Sequence, residues 1–539
     1  MTHRAPLLAL AIVAALMTLA LPSPTAAQAA SSTDFRTAAR CATCHSNMKT
    51  AKGEDASIVG DWRSSIMANA ARDPYWQGSV RRETLDHPQA SAAIQTECAT
   101  CHMPLQFLAD KAQGHGTEVF KRLPLHPGDP DDAAADGVSC AVCHQIQSAG
   151  LGTPATYNGS FNVAAPGTQP RPLFGPFNSP DNIGKIHAVA TGYTTVESAH
   201  IRDAGLCGSC HTLYTTTLGA DGKPVGRFPE QMPYLEWLNS DYHNKQTCQQ
   251  CHMPALEGQA PIASIMAQPR DGVRQHTFVG ANFVMLNMLG AHHDDLAVAA
   301  DSAALTSAAA QTTSFLQSQA AQIEIVPAQV ENGTLAFAVR VKNLTGHKLP
   351  TAYPSRRAWL HVTVTAADGH IVFESGKLNP DGSIVGNAND ADPTRYSLHY
   401  PLITKADEVE IFEPILGDNQ GHVTTALLSA TQYLKDNRIL PTGFDKQSAS
   451  ADIAVRGKAA DDPDFAAGSC LTHYKTAASG AGPFRIAAEL LYQPIGYRWA
   501  HNLAPYQAAE TQRFAHYYDD AAAHSAVVLA HAEATGGAH

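Results

Sequence analysis

The sequence lacks an excess of positive charge: 37 lysines and arginines stand against 49 aspartates and glutamates, for a formal net charge of −12. Without a basic surface to hold a phosphate backbone, we do not expect nucleic acid as a partner. Charged residues make up only 16 % of the chain and hydrophobic residues 44 %, which is enough to bury cores and excludes disorder as the main state. At 539 residues, the length predicts two or more domains.

Long apolar runs are missing outside the N-terminus. Residues 1–29 begin with the basic Arg4, continue as an apolar stretch over 7–21 and end on the small residue Ala29. This order is typical of a secretory signal peptide, and the apolar run is shorter than the ~20 residues that span a bilayer. We therefore expect a periplasmic or extracellular mature chain with no transmembrane segment. An uncleaved N-terminal anchor is the alternative.

Cysteine is not scarce, but its spacing does not favour a disulfide framework. Ten of the eleven cysteines form five Cys-x-x-Cys-His motifs, numbered here as sites 1 to 5 in chain order. The cysteine pairs are Cys41 and Cys44, Cys98 and Cys101, Cys140 and Cys143, Cys207 and Cys210, and Cys248 and Cys251; the histidines that follow them are His45, His102, His144, His211 and His252. Each motif is the covalent attachment signal of c-type haem.

The spacing suits this chemistry. Two cysteines three positions apart lie on one side of a helical turn, where both thiols reach the vinyl groups of one porphyrin. The adjacent histidine then offers its imidazole to the iron as the proximal ligand. A thioredoxin-like redox pair or half of a zinc site also uses Cys-x-x-Cys, but neither requires the histidine. The sequence therefore predicts five covalent haem c groups.

Six-coordinate irons need further ligands from elsewhere in the chain. The main candidates for distal ligands are His276, which precedes a helix-like apolar run, His200, His347 on a Gly-flanked loop, and Met67. Met67 lies in the stretch 62–73, which reads as a helix ending before Pro74 and would bring the Met67 thioether to the first iron. Packing on a porphyrin face is the alternative role for Met67. Further candidates, ranked below these, are His115, His126, His187, His243, His292 and His293.

The hydrophobic pattern divides the chain unequally. All five motifs fall within 41–252, which is too short for five independent domains, so the porphyrins are expected to share one core. Downstream, apolar and polar residues alternate with the period of two that is typical of strands. The predicted fold is an α + irregular multihaem cytochrome c domain followed by a β-sandwich-like domain with a C-terminal helix. The predicted segments are a signal peptide (1–29), the pentahaem domain (30–293), a helical connector (294–320), the β-sandwich-like domain (321–500) and a helical tail (501–539).

Three residues of the downstream region draw separate predictions. Cys470 has no second cysteine before the nearby histidine, so it is expected to be a buried free thiol, with an intermolecular disulfide as the alternative. Arg356 and Arg357 are candidates to pair with haem propionates, and a solvated basic pair is the alternative.

The sequence resembles exported multihaem c-type cytochromes, a group that includes the tetrahaem protein accepting electrons from hydroxylamine oxidoreductase and larger relatives with a β-domain. The five motifs carry the resemblance, together with segments 343–360 and 433–444. The resemblance implies an axial-ligand role for His347 in its Gly-His-x-x-Pro setting. The chain departs from the group at Met67, where relatives often place histidine, and at Cys470, where relatives tend to carry an acidic residue.

The predicted function is electron transfer between a redox donor and a redox acceptor outside the cytoplasm. An alternative is an oxidoreductase in which one haem stays open to a small nitrogen or sulfur compound. The Cys-x-x-Cys-Lys motif, typical of the catalytic haem in pentahaem nitrite reductases, is absent from the sequence, which argues against that particular chemistry. A third hypothesis is that the β-domain docks into an outer-membrane conduit or supports self-association.

Overall fold

The computed structural model describes residues 1–2, 34–126, 132–219 and 221–536. The predicted signal peptide falls almost entirely outside these residues. Within the described ranges, no helix combines the length and the hydropathy needed to cross a membrane.

Short helices joined by long irregular segments build the motif-bearing part of the chain. The helices are α1 (Ala38–His45), α2 (Ile58–Arg63), α3 (Pro74–Asp86), α4 (Ser91–His102), α5 (Pro104–Ala112), α6 (Cys140–Cys143), α7 (Asp181–Thr191), α8 (Ala204–Gly208), α9 (Pro233–Leu238), α10 (Cys248–His252) and α11 (Phe283–Ala291). Four motifs start or end on α1, α4, α6 and α10, and α8 carries the first cysteine of site 4. A helical turn thus presents the cysteines at each site.

Three two-stranded ladders stiffen this part. The strands are β1 (Arg171–Gly175), β2 (Tyr193–Glu197), β3 (Leu213–Leu218), β4 (Pro224–Gln231), β5 (Gln259–Ala260) and β6 (Arg270–Asp271). The pair β1–β2 is parallel, whereas β3–β4 and β5–β6 are antiparallel. The parallel pair is connected through α7, so the ladder fixes both ends of that helix.

The helix expected over 62–73 is wrong. Helix α2 ends at Arg63, and α3 begins at Pro74, where the Asp73 carboxylate accepts hydrogen bonds from the first backbone amides. Between the two helices, Ser65 and Asn69 donate side-chain hydrogen bonds to the Trp62 and Arg63 carbonyls. Such local bonds compete with helical pairing, and the segment forms turns instead.

An amphipathic helix, α12 (Ser302–Gln319), follows the motif-bearing part. It buries Leu305, Ala309, Thr312 and Leu316, which recur at helical spacing, and the Asp301 carboxylate caps its first turn. The helix occupies most of the stretch expected to be a helical connector.

Two five-stranded sheets dominate the rest of the chain. The strands are β7 (Ala321–Glu331), β8 (Thr334–Asn343), β9 (Arg357–Thr365), β10 (Ile371–Ser375), β11 (Leu402–Ile403), β12 (Ile411–Phe412), β13 (Pro414–Gly417), β14 (Val423–Thr424), β15 (Gln432–Asp436), β16 (Phe465–Ala466), β17 (Ser469–Ala477), β18 (Phe484–Gln493) and β19 (Val527–Gly536). One sheet has the order β10-β9-β18-β19 with β12 beside β9, and the other has the order β11-β17-β8-β7 with β16 beside β17. A third sheet has the order β14-β13-β15.

Both large sheets contribute to one hydrophobic core. Phe337 and Val339 of β8, Val362 of β9 and Ile486 of β18 are members of the same buried cluster. Their alternation with more exposed neighbours is the period-two pattern of strands that bury one face.

The C-terminal stretch differs from its prediction. Helices α13 (Ala388–Ala391), α14 (Tyr497–His501) and α15 (Ala509–Ala521) complete the fold, but the chain then forms β19 rather than a helix running to the end. Strand β19 pairs antiparallel with β18 along Phe484–Tyr492. The ladder with β18 outweighs the helix propensity of the alanine-rich segment. Helix α15 packs on α3 through an ion pair of 2.8 Å between Arg81 and Glu510.

Candidate functional site

One continuous cavity joins the five motifs. It measures about 1830 Å³ and is lined by all ten motif cysteines and all five motif histidines. Residues of the β-rich part, among them His347 and Arg356, line the same cavity. The donor set, paired thiols plus an imidazole at every site, fits covalent haem c, and the cysteines and histidines of the motifs are the residues that would hold it.

The motif histidines are held in an orientation suited to metal binding. The Nδ1 atoms of four of them hydrogen-bond to backbone carbonyl oxygens, and Nε2 is left free. The pairs are His45 with Ile262 at 2.6 Å, His102 with Ala70 at 3.0 Å, His144 with Phe174 at 2.6 Å and His252 with Val279 at 2.6 Å. A carbonyl on one ring nitrogen fixes the tautomer and directs the other nitrogen toward a metal.

Burial also keeps these imidazoles neutral. It lowers the pKa of His102 and of His211 to about 4, and it lowers the pKa values of His45, His144 and His252 in the same direction. The His211 side chain opens onto the cavity, yet it lies deep within the protein. Neutral imidazole is the form that binds a metal ion.

Site 3 pairs His144 with His276. Their ring centroids lie 6.4 Å apart, and the planes are inclined by 17°. A metal–imidazole bond is about 2 Å long, so one iron between two imidazoles places the ring centroids roughly 6 Å apart. His276 Nδ1 is 3.1 Å from the Arg274 carbonyl oxygen, which leaves its Nε2 free. The pair has the spacing of two axial ligands.

Site 5 has the same arrangement. The His252 and His347 ring centroids lie 6.3 Å apart with an interplanar angle of 14°. His347 Nδ1 is 2.9 Å from the Lys348 carbonyl oxygen. His347 belongs to the loop between β8 and β9, so the β-rich part of the chain places an imidazole beside a motif histidine of the other part.

At site 1, the neighbouring histidine is His187 of α7. It lines the cavity, its Nδ1 is 3.0 Å from the Tyr193 carbonyl oxygen, and its charge is among the influences that lower the pKa of His45. The sequence favours His276, His347 and His200 over His187 as distal ligands. The feature that favours His187 is its place in α7, the helix between two strands, β1 and β2, that pair with each other.

His200 does not line the cavity, although the sequence makes it one of the main candidates for a distal ligand. Its Nε2 is 2.8 Å from the Ile146 carbonyl oxygen and its Nδ1 is 2.6 Å from the Ser198 hydroxyl. Both ring nitrogens are therefore occupied by protein partners. The other lower-ranked histidines lie off the cavity as well, and His292 stacks on Tyr517 at a centroid distance of 3.5 Å.

Met67 lines the cavity on the turn between α2 and α3. Its predicted place on the iron of site 1 stays a prediction, and His187 lines the cavity as a second candidate for the same site. Among the described residues, eight histidines line the cavity: the five of the motifs together with His187, His276 and His347. Sites 2 and 4 thus have no second cavity-lining imidazole assigned to them.

Contacts between cysteines of different motifs order the sites in space. The side chain of Cys41 lies beside Cys140, that of Cys101 beside Cys210 and that of Cys207 beside Cys248, which places site 1 next to site 3, site 2 next to site 4 and site 4 next to site 5. The charge of Cys210 also raises the pKa of Cys143, after the larger effect of burial, so site 3 neighbours site 4. Site 4 therefore adjoins sites 2, 3 and 5.

The two arginines predicted to pair with haem propionates have different surroundings in the structure. Arg356 lines the cavity, and its positive charge contributes to the lowered pKa values of His211, His252 and His347. Arg357 is buried in an ion pair with Asp390, at 2.7 Å, and also donates to Gln493 at 2.8 Å. Arg356 is available to an acidic group in the cavity, whereas Arg357 is not.

Cys470 lies in β17, fully buried opposite Val341 of β8. Burial raises the pKa of its thiol well above the ordinary value. All eleven cysteines fall within the described residues, and none of them forms a disulfide.

The motif-bearing helices, the common cavity and the appended sheets define a mixed multihaem-cytochrome fold. A solved structure has the same fold: that of a penta-heme cytochrome c552 from Thermochromatium tepidum, with a TM-score of 0.50 and 16 % sequence identity. The match covers 93 % of this chain and 99 % of the other. No family model matches the sequence, and no curated protein matches it.

Proposed function

We propose that the protein transfers electrons between redox proteins outside the cytoplasm through five covalently attached haem c groups. The carrying observation is the single cavity onto which all five Cys-x-x-Cys-His motifs open, with neutral imidazoles throughout. When bound, haem c supplies a one-electron couple at each site. The chain contributes thioether anchors, axial imidazoles, and burial of the sites from water.

His187, His276 and His347 are the proposed distal ligands at sites 1, 3 and 5. Each lines the cavity, and each has its Nδ1 at a backbone carbonyl with Nε2 free. The ring separations at sites 3 and 5 support the assignment most directly. Two imidazoles hold an iron at a lower potential than a Met/His pair does.

The cysteine contacts support a branched arrangement with site 4 at its centre. Sites 1, 3, 4 and 5 follow one another, and site 2 joins the series only at site 4. Donor and acceptor proteins would approach the two ends of the series. Because the chain has a net charge of −12, basic surfaces on those partners would favour the encounter.

Export is part of the proposal. It rests on the charged, apolar, small-residue order at the N-terminus and on covalent haem attachment, which follows secretion in such systems. Self-association would appear as a size of the purified protein that rises with its concentration, and a monomer at every concentration would exclude a stable filament.

Haem stoichiometry tests the function. The pyridine haemochrome assay and intact mass of the full-length protein are expected to give five haems per chain. Replacing Cys248 and Cys251 by alanine is expected to leave four, whereas Cys470→Ser, the matched control outside the motifs, keeps all five. A wild-type count below five would contradict the proposal.

A further inference from the structure

The imidazole of His102 at site 2 is stacked on the indole of Trp76. The two ring centroids lie 4.5 Å apart, and the planes are inclined by only 4°. Two imidazoles that share one iron have their centroids roughly 6 Å apart, so the shorter distance describes direct contact between the rings. Because Nε2 lies in the plane of the imidazole, a neighbour on the ring face leaves that nitrogen free to bind iron.

This contact distinguishes site 2 from the other sites. The other ring contacts of motif histidines in the described part of the chain are the two pairs of candidate ligands and a tilted contact, at 6.1 Å and 57°, between His252 and Phe315. The hydrogen bond from His102 to the Ala70 carbonyl, at 3.0 Å, is also longer than the 2.6 Å bonds of the motif histidines at sites 1, 3 and 5. The indole therefore adds a second constraint where the hydrogen bond is longest.

One short stretch of chain holds the imidazole by its edge and by its face. Pro74 has no amide hydrogen, so the Ala70 carbonyl lacks the donor that a continuing helix would supply and accepts from His102 instead. The Asp73 carboxylate accepts a hydrogen bond from the Trp76 backbone amide at 3.0 Å, which fixes the first turn of α3. The carbonyl and the indole are thus set in place by the same local structure.

Packing keeps the indole against the imidazole. Trp76 is 8 % exposed and belongs to a buried cluster with Ala99 of α4 and with Met103, which directly follows the site 2 motif. Gln77 donates a hydrogen bond from Nε2 to the Ala71 carbonyl at 2.7 Å, so the turn before α3 is tied to the helix. A side chain held on both sides in this way has little freedom to leave the ring it contacts.

The contact also has an electronic consequence. The face of an aromatic ring is electronegative and attracts positive charge. A ferric iron draws more electron density from its imidazole than a ferrous iron does, so the ligand ring is more positive in the oxidised protein. The indole therefore stabilises the oxidised form more than the reduced form, which lowers the reduction potential.

We propose that Trp76 is a positioning residue for site 2: it fixes the plane of the His102 imidazole and lowers the reduction potential of the haem that His102 binds. This inference rests on the proposed function, in which His102 is the proximal ligand of site 2. The potential of site 2 is then set in part by α3, a helix outside the attachment motif.

Trp76→Leu in the full-length holoprotein is the first test. We expect the variant to keep five haems, to raise one reduction potential and to shift the electron paramagnetic resonance signal of the same haem, because the ring face is lost. Trp76→Phe keeps a smaller ring face and should restore part of both shifts. The affected signal should be the one that is missing when Cys98 and Cys101 are both replaced by alanine.

The matched control is Trp499→Leu. Trp499 is also 8 % exposed and meets the ring of Tyr353 edge-on at 5.5 Å, but it does not line the cavity. Both leucine variants are expected to unfold at lower urea concentrations than the wild type, since each loses a buried indole. Only Trp76→Leu is expected to change a reduction potential.

Unchanged potentials and signals in Trp76→Leu would overturn the proposal, as would equal shifts in Trp499→Leu. A lowered potential would overturn it too, and so would a Trp76→Phe variant that behaves like Trp76→Leu. Should Trp76→Leu fail to accumulate, Trp76→Phe decides: one raised potential supports the proposal, and unchanged potentials overturn it. All these results leave the proposed electron transfer intact, whereas a wild-type count below five haems would contradict that function itself.

Discussion

The hydrogen bonds of the ring nitrogens distinguish three cavity-lining histidines from His200. His187, His276 and His347 hydrogen-bond through Nδ1 to a backbone carbonyl and present Nε2 to the cavity. His200 instead places Nε2 on the Ile146 carbonyl, although its charge still reaches His144. Proximity to a site is therefore not enough for ligation, because the free nitrogen has to face the metal.

Replacing His347 by methionine is expected to raise the reduction potential of one haem, because Met/His ligation favours the reduced iron more than two imidazoles do. Potentiometric titration followed in the visible region would measure the shift. The matched control is His422→Met, an exposed histidine that does not line the cavity, which is expected to leave every potential unchanged. A shift of the same size in the control would contradict the ligand assignment.

The adjacent arginines are expected to have opposite effects. Arg356→Gln removes a positive charge beside sites 4 and 5, so it should lower at least one reduction potential while the stability of the protein changes little. Arg357→Gln leaves Asp390 buried without its partner and should cost about 3–5 kcal/mol of unfolding free energy. Redox titration and urea unfolding of both variants would measure the two effects. Equal changes in potential and in stability would contradict the different roles of Arg356 and Arg357.

At the scale of elements, helix α3 shows how distant parts of the chain fix one surface. Asp73 and Pro74 set where the helix starts, and the ion pair between Arg81 and Glu510 holds it against α15. Tyr75 also contacts Phe514 of α15, at a ring distance of 4.9 Å. Helix α15 thus orients the α3 face that lines the cavity.

The loops of the β-rich part contain a buried ionic triad that makes stability depend on pH. His399 lies 2.7 Å from Glu410 and 2.8 Å from Asp462. Burial lowers the pKa of His399, but the two carboxylates outweigh it, and the net shift is upward. The folded chain therefore holds this proton more tightly than the unfolded chain, whose histidines have a pKa of about 6.5.

The stabilisation from His399 is expected to be complete below about pH 6.5 and to be lost as the pH rises through the raised pKa of the folded state. Urea unfolding of the holoprotein across this range would show the decline. In His399→Gln the decline should be smaller. An unchanged slope in the variant would assign the pH dependence to other groups.

At the scale of the whole molecule, buried charges join the two parts. Glu236 of α9 pairs with Arg438 at 3.0 Å and accepts the Lys348 backbone amide at 3.1 Å. Asp436 of β15 binds Lys348 at 2.6 Å and Arg438 at 2.8 Å. Although burial opposes it, these two cations hold the pKa of Asp436 well below its ordinary value. Because Lys348 follows His347, the network positions a proposed ligand of site 5.

Asp436→Asn is expected to lower the unfolding free energy by about 3–5 kcal/mol, because two buried cations lose their common partner. It should also weaken the low-spin signal of one haem as the His347 loop loosens. The control is Glu533→Gln, which breaks an exposed pair with Arg485 and should cost about 0–1 kcal/mol. Urea unfolding followed by circular dichroism would measure the stability, and electron paramagnetic resonance would measure the low-spin signals. A loss of stability with every low-spin signal unchanged would show that the network does not position His347.

The sequence by itself determined the five attachment sites, since two thiols and an imidazole within five residues are covalent chemistry confined to one helical turn. The alternation of apolar residues likewise indicated most of the long strands, because a half-buried strand imposes a period of two. Tertiary structure decided the rest. It placed His187 rather than His200 at a cavity wall, turned 527–536 from helix to strand, and brought His347 to a site nearly a hundred residues upstream. Those outcomes depend on contacts between backbone carbonyls and strand edges that are far apart in the sequence. A local sequence pattern carries no information about such contacts.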